Sequence, residues 1–184
     1  SFQVQEDAFA GDVVGTVQVD FSNIYVGDGQ GSAYTVGDPE PGMITIDFDI
    51  LLSLSSGTAD VSETLELDIN MSNTGPVGGL QFDLTDTPND VEIIGLSTTP
   101  RTTGFTADYN EIDGGVRVVV LGTDNNNIDT GEGNILRVSF QVHDDAFAGD
   151  VAIDFSNIYV GSETGSAYLV GNPIPGMITV YPGY

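Results

Sequence analysis

Cysteine, tryptophan and lysine are absent from this sequence, histidine occurs once, and three arginines face 28 acidic residues. Without cysteine there are no disulfides, no thiolate metal sites and no Cys nucleophile. A formal net charge of −25 repels phosphate backbones, which excludes nucleic acid as a partner. The same charge works against anionic lipid and favours divalent cations or salt as counter-charge. Long hydrophobic runs are missing too. No apolar stretch approaches the roughly 18 residues of a spanning helix, so no membrane insertion is expected. No charged-then-apolar leader follows Ser1, and any export signal is expected outside this sequence. What is present is 40% hydrophobic over 184 residues, too apolar for a disordered acidic tail. That length suits one full domain plus a fragment. The lack of Lys, beside abundant Asp, Asn, Thr and Gly, fits an extracellular or cell-surface protein.

An internal repeat organises the chain. Ser1 to Val13 reads SFQVQEDAFAGDV, and Ser139 to Val151 reads SFQVHDDAFAGDV. DFSNIYVG then recurs at Asp20–Gly27 and Asp154–Gly161, and Gly31–Ile46 matches Gly165–Val180. With Val14 to Val17 left out, 31 of 42 aligned positions are identical, at an initial offset of 138 residues. A spacing this long is duplication of a whole domain, not a solenoid. The second copy closes a domain over 47–184. The first, residues 1–46, is expected to be the closing third of a preceding repeat. No Pro-rich or Gly/Ser-rich spacer separates them, so neighbouring domains are expected to be held closely.

Strand patterning dominates. Thr64–Met71 alternates polar and apolar, as does Gly79–Leu84, the pattern of half-buried strands. Val116–Leu121 is a β-branched run suited to a central strand, preceded by the hairpin signal Asp113-Gly114. Asp47–Leu52, Ile135–Val142, Ala152–Phe155 and Met177–Val180 complete the set. Helical periodicity is limited to one turn at His143–Phe147. Eight or nine short strands between Gly, Asn, Asp and Pro turns predict an all-β sandwich.

Leu52-Ser53-Leu54-Ser55-Ser56-Gly57 followed by Asn73-Thr74-Gly75-Pro76-Val77-Gly78-Gly79-Leu80-Gln81-Phe82-Asp83-Leu84 resembles the opening of cohesin-type domains. Asn127–Leu136 is similar to the family's loop into a strand that here ends in Ser139-Phe140. Ala146-Phe147-Ala148-Gly149-Asp150, Phe155-Ser156-Asn157 and Pro175–Val180 resemble its later turn and closing strands. The resemblance spans Leu51 to Val180 and, as a final third, Ser1 to Ile46. It implies a jelly-roll β-sandwich of about nine strands, exported and non-catalytic. It also implies a partner, since cohesins grip dockerin modules through one sheet face.

Candidate chemistry is sparse. His143 is the only His, and Gln5 stands at its place in the first copy, so no catalytic triad forms around it. No catalytic residue is expected, and the protein is read as no enzyme. Calcium fits the oxygen-rich loop 123–132 best, with Asp124, Asn126, Asp129 and Glu132 as candidate ligands. Ile128 and Asp129 break the EF-hand pattern there, and turn propensity alone accounts for such a loop. Glu6, Asp7 and Asp12, with their counterparts Asp144, Asp145 and Asp150, read as solvated turn acids. Asn70-Met71-Ser72 matches a glycosylation sequon in mid-strand. Phe21, Tyr25 and Tyr34, repeated as Phe155, Tyr159 and Tyr168, are read as core and inter-sheet packing, with carbohydrate stacking as the alternative.

The main functional expectation is structural. Residues 1–46 carry an apolar face and unpaired edges that need covering. Strands of a neighbouring repeat or of a second subunit would do so, giving a head-to-tail homopolymer, an extracellular filament or a surface stalk. The alternative is a recognition module for a dockerin-like partner or a glycan.

Overall fold

A computed structural model of the chain describes residues 15–19, 42–46, 48–124 and 126–183. The chain divides into two compact units, residues 1–47 and 48–184. Of the first, one antiparallel ladder is described, β1 (Gly15–Val19) with β2 (Gly42–Ile46), paired from Gly15↔Ile46 to Val19↔Gly42. The rest of the expected closing third, including Glu6, Asp7, Asp12, Phe21, Tyr25 and Tyr34, lies outside the described residues.

The second unit is an all-β jelly-roll sandwich of ten strands. β3 (Ile50–Leu54), β5 (Thr64–Asn73), β10 (Gly131–Val142) and β7 (Val91–Thr98) form one sheet in that order. The other runs β4 (Gly57–Asp60), β12 (Gly176–Tyr181), β11 (Gly149–Ser162), β6 (Val77–Thr87), β9 (Gly115–Gly122) and β8 (Phe105–Ile112). All ladders are antiparallel except β12 with β4. The tenth strand has a physical cause. The opening segment changes sheets at Ser55-Ser56, where the two hydroxyls accept the backbone N–H groups of Asp68 (2.8 Å) and Met177 (3.0 Å). Donors left open by the break are thereby satisfied; the expected opening strand becomes β3 at Ile50–Leu54, and β4 on the other sheet is a further strand that the sequence pattern does not mark.

Alternation places the core where the sequence puts it. Leu67, Ile69 and Met71 of β5, Leu80, Phe82 and Leu84 of β6, Val116, Val118 and Val120 of β9, and Val138, Phe140 and Val142 of β10 are buried between the sheets. Phe155 meets Phe82 edge-on at 5.5 Å, so that aromatic does pack as expected. The β8–β9 hairpin turns through Asp113-Gly114, with Gly114 at φ +74°, a conformation glycine adopts without Cβ strain. Asn70 lies mid-strand in β5, opposite Asn134 and Ser53.

Candidate functional site

The sheets differ in what they show solvent. On β3, β5, β7 and β10 the single large exposed hydrophobic is Ile94, while Glu66, Asp68 and Arg137 stand on the outer face, Arg137 bonding Asp68 at 3.2 Å. The outer face of the six-stranded sheet carries Leu121, Tyr159, Met177 and Tyr181, all exposed. Apolar side chains grouped on one face mark an interaction surface more than singly scattered ones do.

Register builds this face row by row. Asp108, Val119, Gln81 and Tyr159 are cross-strand neighbours on β8, β9, β6 and β11. The adjacent row is Thr106, Leu121, Gly79 and Gly161. Glycine at 79 lets Leu121 lie across the sheet, since a Cβ there would stand 3.0 Å from Leu121 Cδ2 and 3.3 Å from Val120 O. The result is a groove of about 520 Å³ lined by Gly79, Gln81, Val119, Leu121, Tyr159 and Tyr168. Tyr168 donates its hydroxyl to Pro76 O at 2.8 Å, closing one end.

Tyr159 reaches this face because of a bulge. The ladder between β11 and β6 shifts between Ser156 and Tyr159, so Asn157 and Ile158 together oppose Phe82. An inserted residue exchanges the faces of everything beyond it. Tyr159 therefore points outward at 67% exposure and Val160 is buried. The expectation that Tyr159 packs in the core with Phe155 and Tyr168 is corrected here: unbroken alternation from Phe155 would have turned it inward, and the bulge reverses it. Asn157 sits in the bulge at φ 48°, where Asn is tolerated better than most residues.

Beside the groove, Arg117 and Asp83 face each other across β9 and β6. Arg117 Nε donates to Asp83 Oδ1 at 2.7 Å and Nη2 to Oδ2 at 2.8 Å, and Asn157 Nδ2 donates to Oδ2 at 2.7 Å. These side chains cover Asp83, although it points to the outer side of the sheet. The Arg117 hydrogen bonds hold its carboxyl below the usual range, against the opposing pull of desolvation and with help from Asn157. The patch thus has a fixed, ionised anchor at its edge.

The candidate calcium residues are not gathered. Among the described residues no three His, Asp or Glu side chains converge as a metal site. Asp124, Asn126, Asp129 and Glu132 are all exposed, and Asn126 Nδ2 donates to Gly104 O. The loop oxygens instead serve Arg101, in the 3-10 turn Pro100–Thr102. Its guanidinium donates to Met71 O (2.6 Å), Gly133 O (3.3 Å), Asp129 O (3.0 Å), Gly131 O (2.7 Å) and Asn73 Oδ1. Burial pulls the Arg101 pKa down while Asp129 and Glu132 hold it up. Of the loop's own oxygens, Arg101 thus engages the backbone carbonyls of Asp129 and Gly131.

His143 follows β10; its backbone N–H donates to Asp90 O at 2.9 Å. Asp144 and Asp145 are exposed in the next turn, and Asp150 accepts the Thr179 hydroxyl at 2.8 Å. Sequence reasoning missed Leu121, Tyr159, Arg117 and Asp83 as a group. Period-2 alternation did mark Gln81 and Asp83 as outward-facing, and that was the available signal.

A Cohesin domain model matches residues 50–180. No curated protein matches the chain in sequence. Similar solved structures include a non-cellulosomal cohesin from the hyperthermophilic archaeon Archaeoglobus fulgidus. It is 20% identical with a TM-score of 0.61, covering 72% of this chain and 91% of that one. The CaCohA2 cohesin of Clostridium acetobutylicum is 17% identical with a TM-score of 0.59 and the same two coverages. The Coh-OlpA cohesin of Clostridium thermocellum, solved in complex with Doc918, is 15% identical with a TM-score of 0.61, covering 72% and 99%. At these identities the structures establish the sandwich alone, and the family match over 50–180 establishes the rest: the chain belongs to the cohesin domain family.

Proposed function

We propose that the sandwich over 48–184 is a non-catalytic recognition module that takes a dockerin-like partner on the outer face of its six-stranded sheet. The observation that carries this reading is the one-sided placement of Leu121 and Tyr159 around a glycine-floored groove. Aromatic and aliphatic anchors at the centre of a patch, with polar groups at the rim, are where binding energy concentrates. Asp108 and the Arg117–Asp83 pair supply that rim. The solved cohesin complexes with Doc918 and Doc435 favour a dockerin-like partner over a glycan. Immobilised chain should retain a purified dockerin module and lose it on Leu121→Asp; equal retention by both would count against this face.

A second reading, that the chain takes part in a homopolymer or tandem array, is favoured by one observation. The β1–β2 ladder repeats the β11–β12 ladder pair for pair: Gly15↔Ile46 to Val19↔Gly42 match Gly149↔Val180 to Ile153↔Gly176. In the complete sandwich that ladder is flanked by β6 and β4, and the same flanks would suit the first copy. Sedimentation of the chain with and without residues 1–47 tests it, since only the longer form should self-associate.

A further inference from the structure

At the end of the sandwich bearing the β6–β7 turn and the β8–β9 hairpin, a cleft of about 300 Å³ opens between the sheets. Its floor is core: Leu84, Ile93, Val116, Phe140 and Ile153 are all buried and contribute to its lining. Its rim is acidic, with Asp86, Glu92 and Glu111 at the mouth, and His143 is the only basic residue lining it. Asp86 is fixed in place, its Oδ2 accepting the backbone N–H groups of Asp90 (2.9 Å) and Val91 (3.1 Å).

We infer that this cleft is a socket for one long basic side chain, lysine or arginine, presented by a partner polypeptide. The volume sits at the bottom of the roughly 300–1,000 Å³ range of ligand pockets, room for a single side chain and not for a cofactor. An aliphatic stem ending in a cation matches an apolar floor beneath an acidic rim. Burial pushes the Asp86 carboxyl above its ordinary range, so a cation placed beside it offsets a charge the protein itself leaves poorly compensated.

A foreign chain is the better source of the occupant. The sequence contains no Lys. Arg101 is held by several carbonyls and Arg117 by two hydrogen bonds to Asp83, so a second copy could offer only Arg137, from its exposed pair with Asp68. This site is separate from the sheet face proposed for a dockerin-like partner and does not depend on it.

The test is amide chemical-shift mapping on the full chain at constant ionic strength, with n-butylguanidinium, n-butanol and guanidinium chloride as probes. A blocked Gly-Gly-Arg-Gly-Gly peptide is the fourth probe. Butylguanidinium and the peptide should give saturable shifts at Ile93, Glu111 and Val116, and butanol and guanidinium alone should not. The exposed pair Glu92→Gln/Glu111→Gln should weaken binding about fivefold or more, whereas Tyr159→Ala should leave it unchanged. Equal shifts from butanol, shifts scattered over the acidic surface, or no effect of the double variant would overturn the cationic socket. Binding of butylguanidinium with exclusion of the peptide would overturn its assignment to a partner's side chain.

Discussion

Arg117 and Asp83 stand directly opposite on β9 and β6 and are joined by two parallel hydrogen bonds of 2.7 and 2.8 Å, capped by the Asn157 amide. Fork-to-fork geometry of this kind is stronger and more directional than a single charged contact. It fixes the bulge of β11 to the centre of the sheet, because Asn157 is the bulged residue.

The pair makes stability pH-dependent in a defined direction. The folded pKa of Asp83 is lowered, so its contribution is present in full above the unfolded value of roughly 3.9. It is lost as pH falls through the folded pKa. Asp83→Asn should therefore lower Tm at pH 5 to 7 by a nearly constant amount, and the gap to wild type should shrink below pH 4. Thermal melts followed by circular dichroism across pH 2 to 7 check this.

Asp86 behaves in the opposite sense. Burial raises its pKa, against the hydrogen bonds from Val91 and Asp90, so the charged form costs stability above the folded pKa and the cost is relieved on acidification. Asp86→Asn keeps an acceptor for the two backbone donors and removes the charge. Tm should be unchanged or higher at pH 7, with the advantage vanishing as the wild-type carboxyl takes up its proton.

Arg101 joins β5, the turn after β7 and the start of β10 through backbone carbonyls and Asn73. Arg101→Ala should cost about 2–4 kcal/mol, since several half-buried acceptors lose a charged donor. Arg101→Lys should recover little of it, because an ammonium lacks the planar fork. Calcium or EDTA should leave the wild-type Tm unmoved, since no three acidic side chains converge among the described residues; a calcium-dependent rise in wild type would support the loop at Asp124, Asn126, Asp129 and Glu132 as a metal site.

The legible part of this molecule was its alternation. Thr64–Met71, Gly79–Leu84 and Ile135–Val142 all fall within strands with their apolar residues inward, because a period of two is a local property that burial selects directly. Three things were not local. The sheet switch at Ser55-Ser56 depends on donors from β5 and β12. The bulge at Asn157-Ile158 depends on what β6 offers opposite, and with it went the direction of Tyr159. The role of Arg101 depends on three carbonyls about 30 residues downstream, and its only trace in the sequence was the rarity of basic residues among so many acids.

The central claim is that Leu121 and Tyr159 form the binding face. Calorimetric titration of a retained dockerin module into wild type and Tyr159→Ala/Leu121→Ala tests it most directly. Both residues are exposed, so the double variant should melt within about 0.5 kcal/mol of wild type per substitution. It should bind at least about tenfold more weakly, as expected for central aromatic and aliphatic anchors. Undiminished affinity in a correctly folded double variant would contradict the account.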